Sequence, residues 1–191
     1  MSVQTATVHN SLVEKLYQST GQSVARCYQC GKCSAGCPLA CEADYPPSQL
    51  LRLTQFGDAN LDRKALGSLT IWLCLTCQTC SARCPQEVDL PRIMDFLRQE
   101  SWRRGLIHPR ARNIVAFHSS FLASIRMTGR MFELGMIADY KRRSWKFFQD
   151  ALLAPKLLTR GKLHLFPHRI RGAKAVRKIF NRALEKKGTS Q

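Results

Sequence analysis

Apolar side chains recur along this chain at three- and four-residue spacing, the repeat of helices that bury one face. Ser11 and Glu14 form a capping box ahead of Leu12 and Leu16, predicting a short helix that stops near Gly21. Pro47 suits a first helical turn; Leu50, Leu51 and Leu53 follow, and Gly57 ends the run. Asp89 and Pro91 open a third helix, with Leu90, Ile93, Met94 and Leu97 on its apolar face and Gly105 as its stop. The same period returns at Ile114, Phe117, His118, Phe121, Leu122 and Ile125, and again at Ile170, Ala173, Val176, Phe180 and Leu184. Pro155, Gly161 and Pro167 interrupt the stretch between. Nowhere do four to eight residues alternate apolar and polar, so the pattern predicts an all-α framework.

One internal repeat is superimposed on that pattern. Residues 27–38 read CYQCGKCSAGCP and residues 74–85 read CLTCQTCSARCP. At an offset of 47, four cysteines, a Ser-Ala pair and a proline coincide. One copy per half predicts two paired sites rather than a solenoid.

Each copy carries Cys-x2-Cys-x2-Cys-x3-Cys-Pro. Three cysteines two residues apart can wrap one loop around three irons of a cubane, whereas the fourth sits on its own segment and, in two-cluster proteins with this spacing, serves the other cluster. The expected ligand sets are Cys27, Cys30, Cys33 and Cys84 for one [4Fe–4S] cluster, and Cys74, Cys77, Cys80 and Cys37 for a second. Structural zinc, the main competing chemistry, wants four ligands, usually as two separated pairs, and would leave surplus thiolates here. Cys41 is left over, as a small buried filler rather than a ligand. Tyr28, Trp72 and Leu75 are apolar enough to keep water off the clusters, and Arg26, Lys32 and Arg83 can offset their negative charge.

Charge divides the chain. Residues 1–105 hold 11 Lys and Arg against 9 Asp and Glu; residues 106–191 hold 19 against 4 and carry nearly all of the net +17. A boundary near residue 106 follows, with a dicluster domain over 1–105 and a basic helical extension over 106–191. Met1 to Asn10 lacks the basic start and apolar core of a signal peptide, and no uncharged apolar run reaches spanning length. A cytoplasmic chain is expected, in a reducing compartment where nine cysteines suit metal rather than disulfides. No dinucleotide or P-loop glycine motif is present. His9, His108, His118, His164 and His168 are scattered, so no substrate machinery is expected in this chain.

The order of these elements resembles the C-type subunits of heterodisulfide reductases. The resemblance rests on Cys-Tyr-Gln-Cys-Gly-Lys-Cys at 27–33, the second run at 74–85, Val88-Asp89-Leu90-Pro91-Arg92-Ile93-Met94 leading into a helix, and the tail segments Gly161-Lys162-Leu163 and Pro167-His168-Arg169. It implies an α-helical ferredoxin fold and a non-catalytic electron-transfer role between a flavin-bearing A-like subunit and a catalytic B-like subunit. The alternative customer is a quinone-linked or membrane-associated dehydrogenase complex. For the basic tail, docking on acidic partner faces is favoured over a membrane surface, and both over nucleic acid, because helical apolar positions persist through it.

Overall fold

The computed structural model describes residues 11–145 and 167–188, with side chains to residue 183. His9, His164, Pro155 and the 161–163 segment lie outside the described residues. The chain is all-α: no strand occurs among the described residues. It divides into two units, Met1–Ala111 and Arg112–Gln191.

The first unit contains α1 (Leu12–Thr20), α2 (Lys32–Ala35), α3 (Pro47–Gln55), α4 (Ala59–Leu66), α5 (Thr70–Leu73), α6 (Thr79–Arg83) and α7 (Leu90–Arg103). Ser11 caps α1 by accepting the Glu14 amide at 3.2 Å, and Gly21 closes it at φ +70, where a left-handed turn needs no Cβ. Asp58 caps α4 through the Asn60 and Leu61 amides. Asp89 caps α7, whose end is a Schellman turn: Leu106 N donates to Ser101 O and Gly105 N to Trp102 O.

The organising element is α7, which packs against α1, α4, α5 and α6. Its Leu90, Ile93, Met94 and Leu97 are buried, as the periodicity predicts, and they meet Leu12, Leu16, Leu50, Leu66 and Ile71 in one core. Each such side chain contributes about 1.5–3 kcal/mol on burial. Glu100 enters the same helix face only 3 % exposed, neutralised by Arg104 at 2.7 Å and Arg103 at 3.3 Å.

The second unit pairs α8 (Arg112–Thr128) with α9 (Glu133–Ser144) and lays α10 (Ala173–Gly188) on α8. Here the apolar stripe does not form the inner face. The buried positions on α8 are Val115, Ser120, Ser124 and Thr128, whereas Phe117 and Leu122 are exposed. Small hydroxyl residues four apart let helices approach closely while serving the connection: Phe132 N donates to Ser124 Oγ at 2.7 Å, and Thr128 Oγ1 donates to Ser124 O at 2.8 Å. Gly129, at φ +81, lies against Ile170, whose Cγ1 occupies the place an added Cβ would take. Ala173, Val176 and Phe180 are half-buried.

No described helix is long and apolar enough to cross a membrane.

Candidate metal centres

The sequence repeat is a repeat of backbone conformation. Gln29 and Thr76, equivalent at the offset of 47, stand at φ +65 and +52; Gly31 and Gln78, also equivalent, stand at +76 and +63. Left-handed backbone at a residue other than glycine costs on the order of 1 kcal/mol, and such strain gathers at functional loops. In both copies it coils the segment between the first and third cysteine, and a short helix then leaves the loop: α2 after Gly31, α6 after Gln78. These two helices pack on each other. Gly36 permits the contact, because Arg83 lies where its Cβ would be, with Cδ at 2.8 Å.

Each loop is tied to the helix that follows it. The Ser34 hydroxyl accepts from the Ser48 amide at 2.9 Å in the first turn of α3. Its equivalent, Ser81, donates to the Asp89 carboxylate at 3.2 Å at the start of α7. The Cys27 carbonyl accepts the Gln55 side-chain amide at 2.7 Å, and the Cys74 carbonyl accepts the Arg98 guanidinium, which also reaches Ile71 O and binds Asp95 at 2.9 Å. Asp44 anchors the entry to the second loop, accepting from Leu69 N at 2.8 Å, Thr70 N at 2.9 Å and Thr70 Oγ1 at 2.7 Å. Burial alone would push its carboxyl up; these bonds outweigh that and hold it below the usual range. None of Gln55, Arg98 or Asp44 announces itself in the sequence.

Cys37 stands with three cysteines of the other motif. Together with Cys74, Cys77 and Cys80 it walls a cavity of about 550 Å³, open mouth included, whose remaining lining is largely apolar and includes Leu73, Leu90 and Met94. Cys84 lies among the first set: after partial desolvation, Cys30, Cys84 and Cys27 push the Tyr28 hydroxyl up. Burial raises the Cys33 thiol, with Cys27 adding to it. Cys80 is pushed up to about 11, by burial first and then by Cys74 and Cys33. Cys77, exposed, is instead lowered by the hydroxyl and amide of Thr79, the hydroxyl lying 3.4 Å from Cys77 Sγ.

Mutually opposed thiols in partly apolar surroundings are poorly placed to ionise alone; a cationic iron core bound among them would relieve that opposition, so the residues fit such a group. Among the described residues no three His, Cys, Asp or Glu side chains converge as one ion requires. Thiolates around a four-iron cube stand further apart than thiolates on a single zinc.

Two expectations about the surroundings are corrected. Trp72 is buried, but Tyr28 and Leu75, equivalent positions in the two loops, are 59 % and 65 % exposed. The residue after the first cysteine is largely solvated in each loop and does not shield it from water. Cys41 is exposed rather than a buried filler. Arg26 sits 4.0 Å from Glu87, which offsets its charge. Of the described histidines, His108 accepts the Arg110 amide in a turn, His118 rests beside Phe117, and His168 is exposed.

Comparison with known proteins places this site. Residues 23–88 match the 4Fe-4S dicluster domain family. The C subunit of the H(2):CoB-CoM heterodisulfide,ferredoxin reductase of Methanothermobacter marburgensis is 27 % identical over 115 residues, 60 % of each chain. The iron-sulfur C 2 subunit of the CoB--CoM heterodisulfide reductase of Methanocaldococcus jannaschii is 38 % identical over 84 residues, 44 % of this chain and 43 % of that one. The C subunit of the ferredoxin:CoB-CoM heterodisulfide reductase of Methanosarcina acetivorans is 38 % identical over 81 residues, 42 % of this chain and 31 % of that one. The chain spans at most about 60 % of the length of these relatives. Doubled cysteine loops within a helical scaffold, a dicluster match across both, and this set of relatives lead to one assignment: residues 23–88 form a 4Fe-4S dicluster domain, in a chain similar to heterodisulfide reductase C subunits.

Proposed function

We propose that this chain is an electron-relay subunit that holds two [4Fe–4S] clusters, one on Cys27, Cys30, Cys33 and Cys84 and the other on Cys74, Cys77, Cys80 and Cys37. The observation that carries the reading is the placement of Cys37 in the wall of the cavity formed by Cys74, Cys77 and Cys80. The influence of Cys84 on Tyr28 beside Cys27 and Cys30 supports the reciprocal exchange. Bound clusters supply one-electron redox chemistry. The chain's own residues do the rest. Gln55 and Arg98 hold the first cysteine of each loop by its carbonyl, Asp44 fixes the entry to the second loop, and Leu73, Leu90 and Met94 keep one wall of the cavity dry.

The relay runs between a flavin-bearing A-like subunit and a catalytic B-like subunit that reduces a disulfide, consistent with relatives named for a CoB-CoM heterodisulfide. The basic extension docks on acidic partner faces: Phe117, Leu122, Met127 and Ile179 are exposed among its cations and supply the apolar anchors that an interface core requires.

Purified without oxygen, the chain is expected to carry about eight irons and as many sulfides. It should accept electrons from an artificial donor and pass them to a B-like partner, with no disulfide turnover of its own. Tightly bound zinc without sulfide, or disulfide reduction by the isolated chain, would overturn the reading.

A further inference from the structure

The two loops share a backbone but not their hydrogen bonds to sulfur. At the position after the first cysteine, the first loop has Tyr28, whose hydroxyl is pushed up by partial desolvation and then by the nearby Cys30; the second has Leu75, which has no donor. One residue on, Gln29 Nε2 lies 3.5 Å from Cys27 Sγ, whereas its equivalent Thr76 turns its hydroxyl to Leu75 O at 2.7 Å. The two serine hydroxyls are both engaged outside the cysteines: Ser34 Oγ lies 2.8 Å from Ser48 Oγ, and Ser81 donates to Asp89. The Val88 amide adds a bond to Cys84 at 3.4 Å. One position runs the other way: the Thr79 hydroxyl, which accepts from the Cys77 thiol at 3.4 Å and would donate to its thiolate, stands where the first loop has Lys32. That lysine is a cation, which acts in the same direction as a donor.

The orientation of Gln29 follows from satisfying its neighbours. Gln55 meets two carbonyl oxygens, Val24 at 2.8 Å and Cys27 at 2.7 Å, so its nitrogen must face them. Its oxygen therefore faces Gln29, which Arg52 reinforces by donating to it at 3.3 Å. Gln29 must then present its NH2 group at 3.3 Å to that oxygen, and the second hydrogen of the same group is left for Cys27 Sγ. The reversed amide would set oxygen against oxygen and oxygen against sulfur.

A donor to a cluster-bound thiolate stabilises the more negative, reduced state and raises the potential, as does a nearby positive charge. We infer that Gln29 and the Val88 amide, with the Tyr28 hydroxyl beside them, set the Cys27, Cys30, Cys33 and Cys84 ligand set at the higher potential, making it the electron-holding end of the pair. With both clusters bound, an electron from a low-potential one-electron donor would come to rest on that set, leaving the Cys74, Cys77, Cys80 and Cys37 set oxidised. The inference rests on the dicluster assignment proposed above.

The test is an anaerobic potentiometric titration of the full chain, followed by low-temperature EPR, with iron and sulfide measured on every sample. Tyr28→Phe removes one oxygen from an exposed ring, and Gln29→Ala removes the amide; each is expected to shift the upper midpoint to more negative potential and leave the lower one in place. Thr79→Val is expected to shift only the lower midpoint, widening the gap. Gln29→Asn keeps an amide one methylene too short for both partners and should shift the upper midpoint as Gln29→Ala does. If fully loaded Tyr28→Phe and Gln29→Ala proteins leave both midpoints unmoved, or lower the lower one, the inference fails while the dicluster reading stands. A wild-type chain that binds no cluster overturns both.

Discussion

Gln55 holds Cys27 by its backbone, donating its side-chain amide to the Cys27 carbonyl oxygen at 2.7 Å from a helix 28 residues further along. Arg98 does the same for Cys74 from α7, with a second bond to Ile71 O. The two residues differ in chemistry yet serve equivalent loops. In each case a helix packed in the core fixes where the first cysteine of a motif begins. Because both carbonyls sit in strained loops, losing the donor leaves a partly buried acceptor without a partner.

Replacing Arg98 with Leu therefore removes both carbonyl bonds while keeping an apolar stem on α7. The expected loss is about 1–3 kcal/mol of stability, the penalty for partly buried groups left unsatisfied. Thermal or denaturant unfolding of the anaerobic protein measures it. Iron content should fall by up to half, because the Cys74 loop loses its anchor while Gln55 still holds the Cys27 loop. Full loading at unchanged stability would show that the bonds contribute nothing.

The proposed exchange of fourth ligands would separate two cysteines that sequence position alone groups with their own motifs. Cys37→Ala is expected to damage the signal of the cluster held by Cys74, Cys77 and Cys80, and Cys84→Ala that of the cluster held by Cys27, Cys30 and Cys33. Thr79→Val, which alters the hydroxyl 3.4 Å from Cys77 Sγ, marks which EPR signal is which. If Cys37→Ala abolishes the signal that Thr79→Val leaves unmoved, and spares the other, each motif keeps its own fourth cysteine.

Asp44 makes the second loop sensitive to acid. Its folded-state carboxyl is held below the ordinary value by the Leu69, Thr70 and Tyr45 donors. Its contribution is therefore complete above the unfolded-state pKa of roughly 4 and is lost as pH falls through the lower folded-state value. Asp44→Ala should cost on the order of 1 kcal/mol at pH 7, discounted because the carboxylate is partly solvated. The gap between wild type and variant should close as pH drops below about 4, read from unfolding midpoints across pH. A gap that widens on acidification would contradict the sign.

The parts of the fold that are legible in sequence are those with a local physical signature. Ser11 with Glu14, and Asp89 with Pro91, mark helix starts because a cap acts over three residues, and Leu90, Ile93, Met94 and Leu97 mark a buried face because burial follows the helical period. The shared backbone of the two loops is implicit in the matched cysteines, although φ +65 at Gln29 and +63 at Gln78 is not, since neither is glycine. Helix α4 leaves only a faint trace; its signal, Asp58 before Ala65 and Leu66, is short. The inner face of α8 cannot be read from hydrophobicity because it is made of Ser120, Ser124 and Thr128. Gln55 and Arg98 stay hidden for a different reason. Their partners are backbone carbonyls 28 and 24 residues away, which leave no compositional trace.

The exposed cations of α10 give the docking proposal a direct test. Lys174, Arg177 and Lys178 are exposed, whereas Ala173, Val176 and Phe180 are half-buried, so changing the three cations to Gln leaves the half-buried side chains intact. Gln is a comparable helix former, so the helix itself should survive. If acidic partner faces are the target, the triple variant should associate more slowly with A-like and B-like partners, and the salt dependence of wild-type association should flatten in the variant, because long-range attraction chiefly sets the on-rate. Surface-immobilised partner, titrated at low and high ionic strength, reads both effects. Iron content and both EPR midpoints should stay unchanged, since all three lie outside residues 23–88, the span of the dicluster match. Association rates that stay unchanged, alongside lost binding to anionic vesicles, would transfer the basic face from partner docking to a lipid surface.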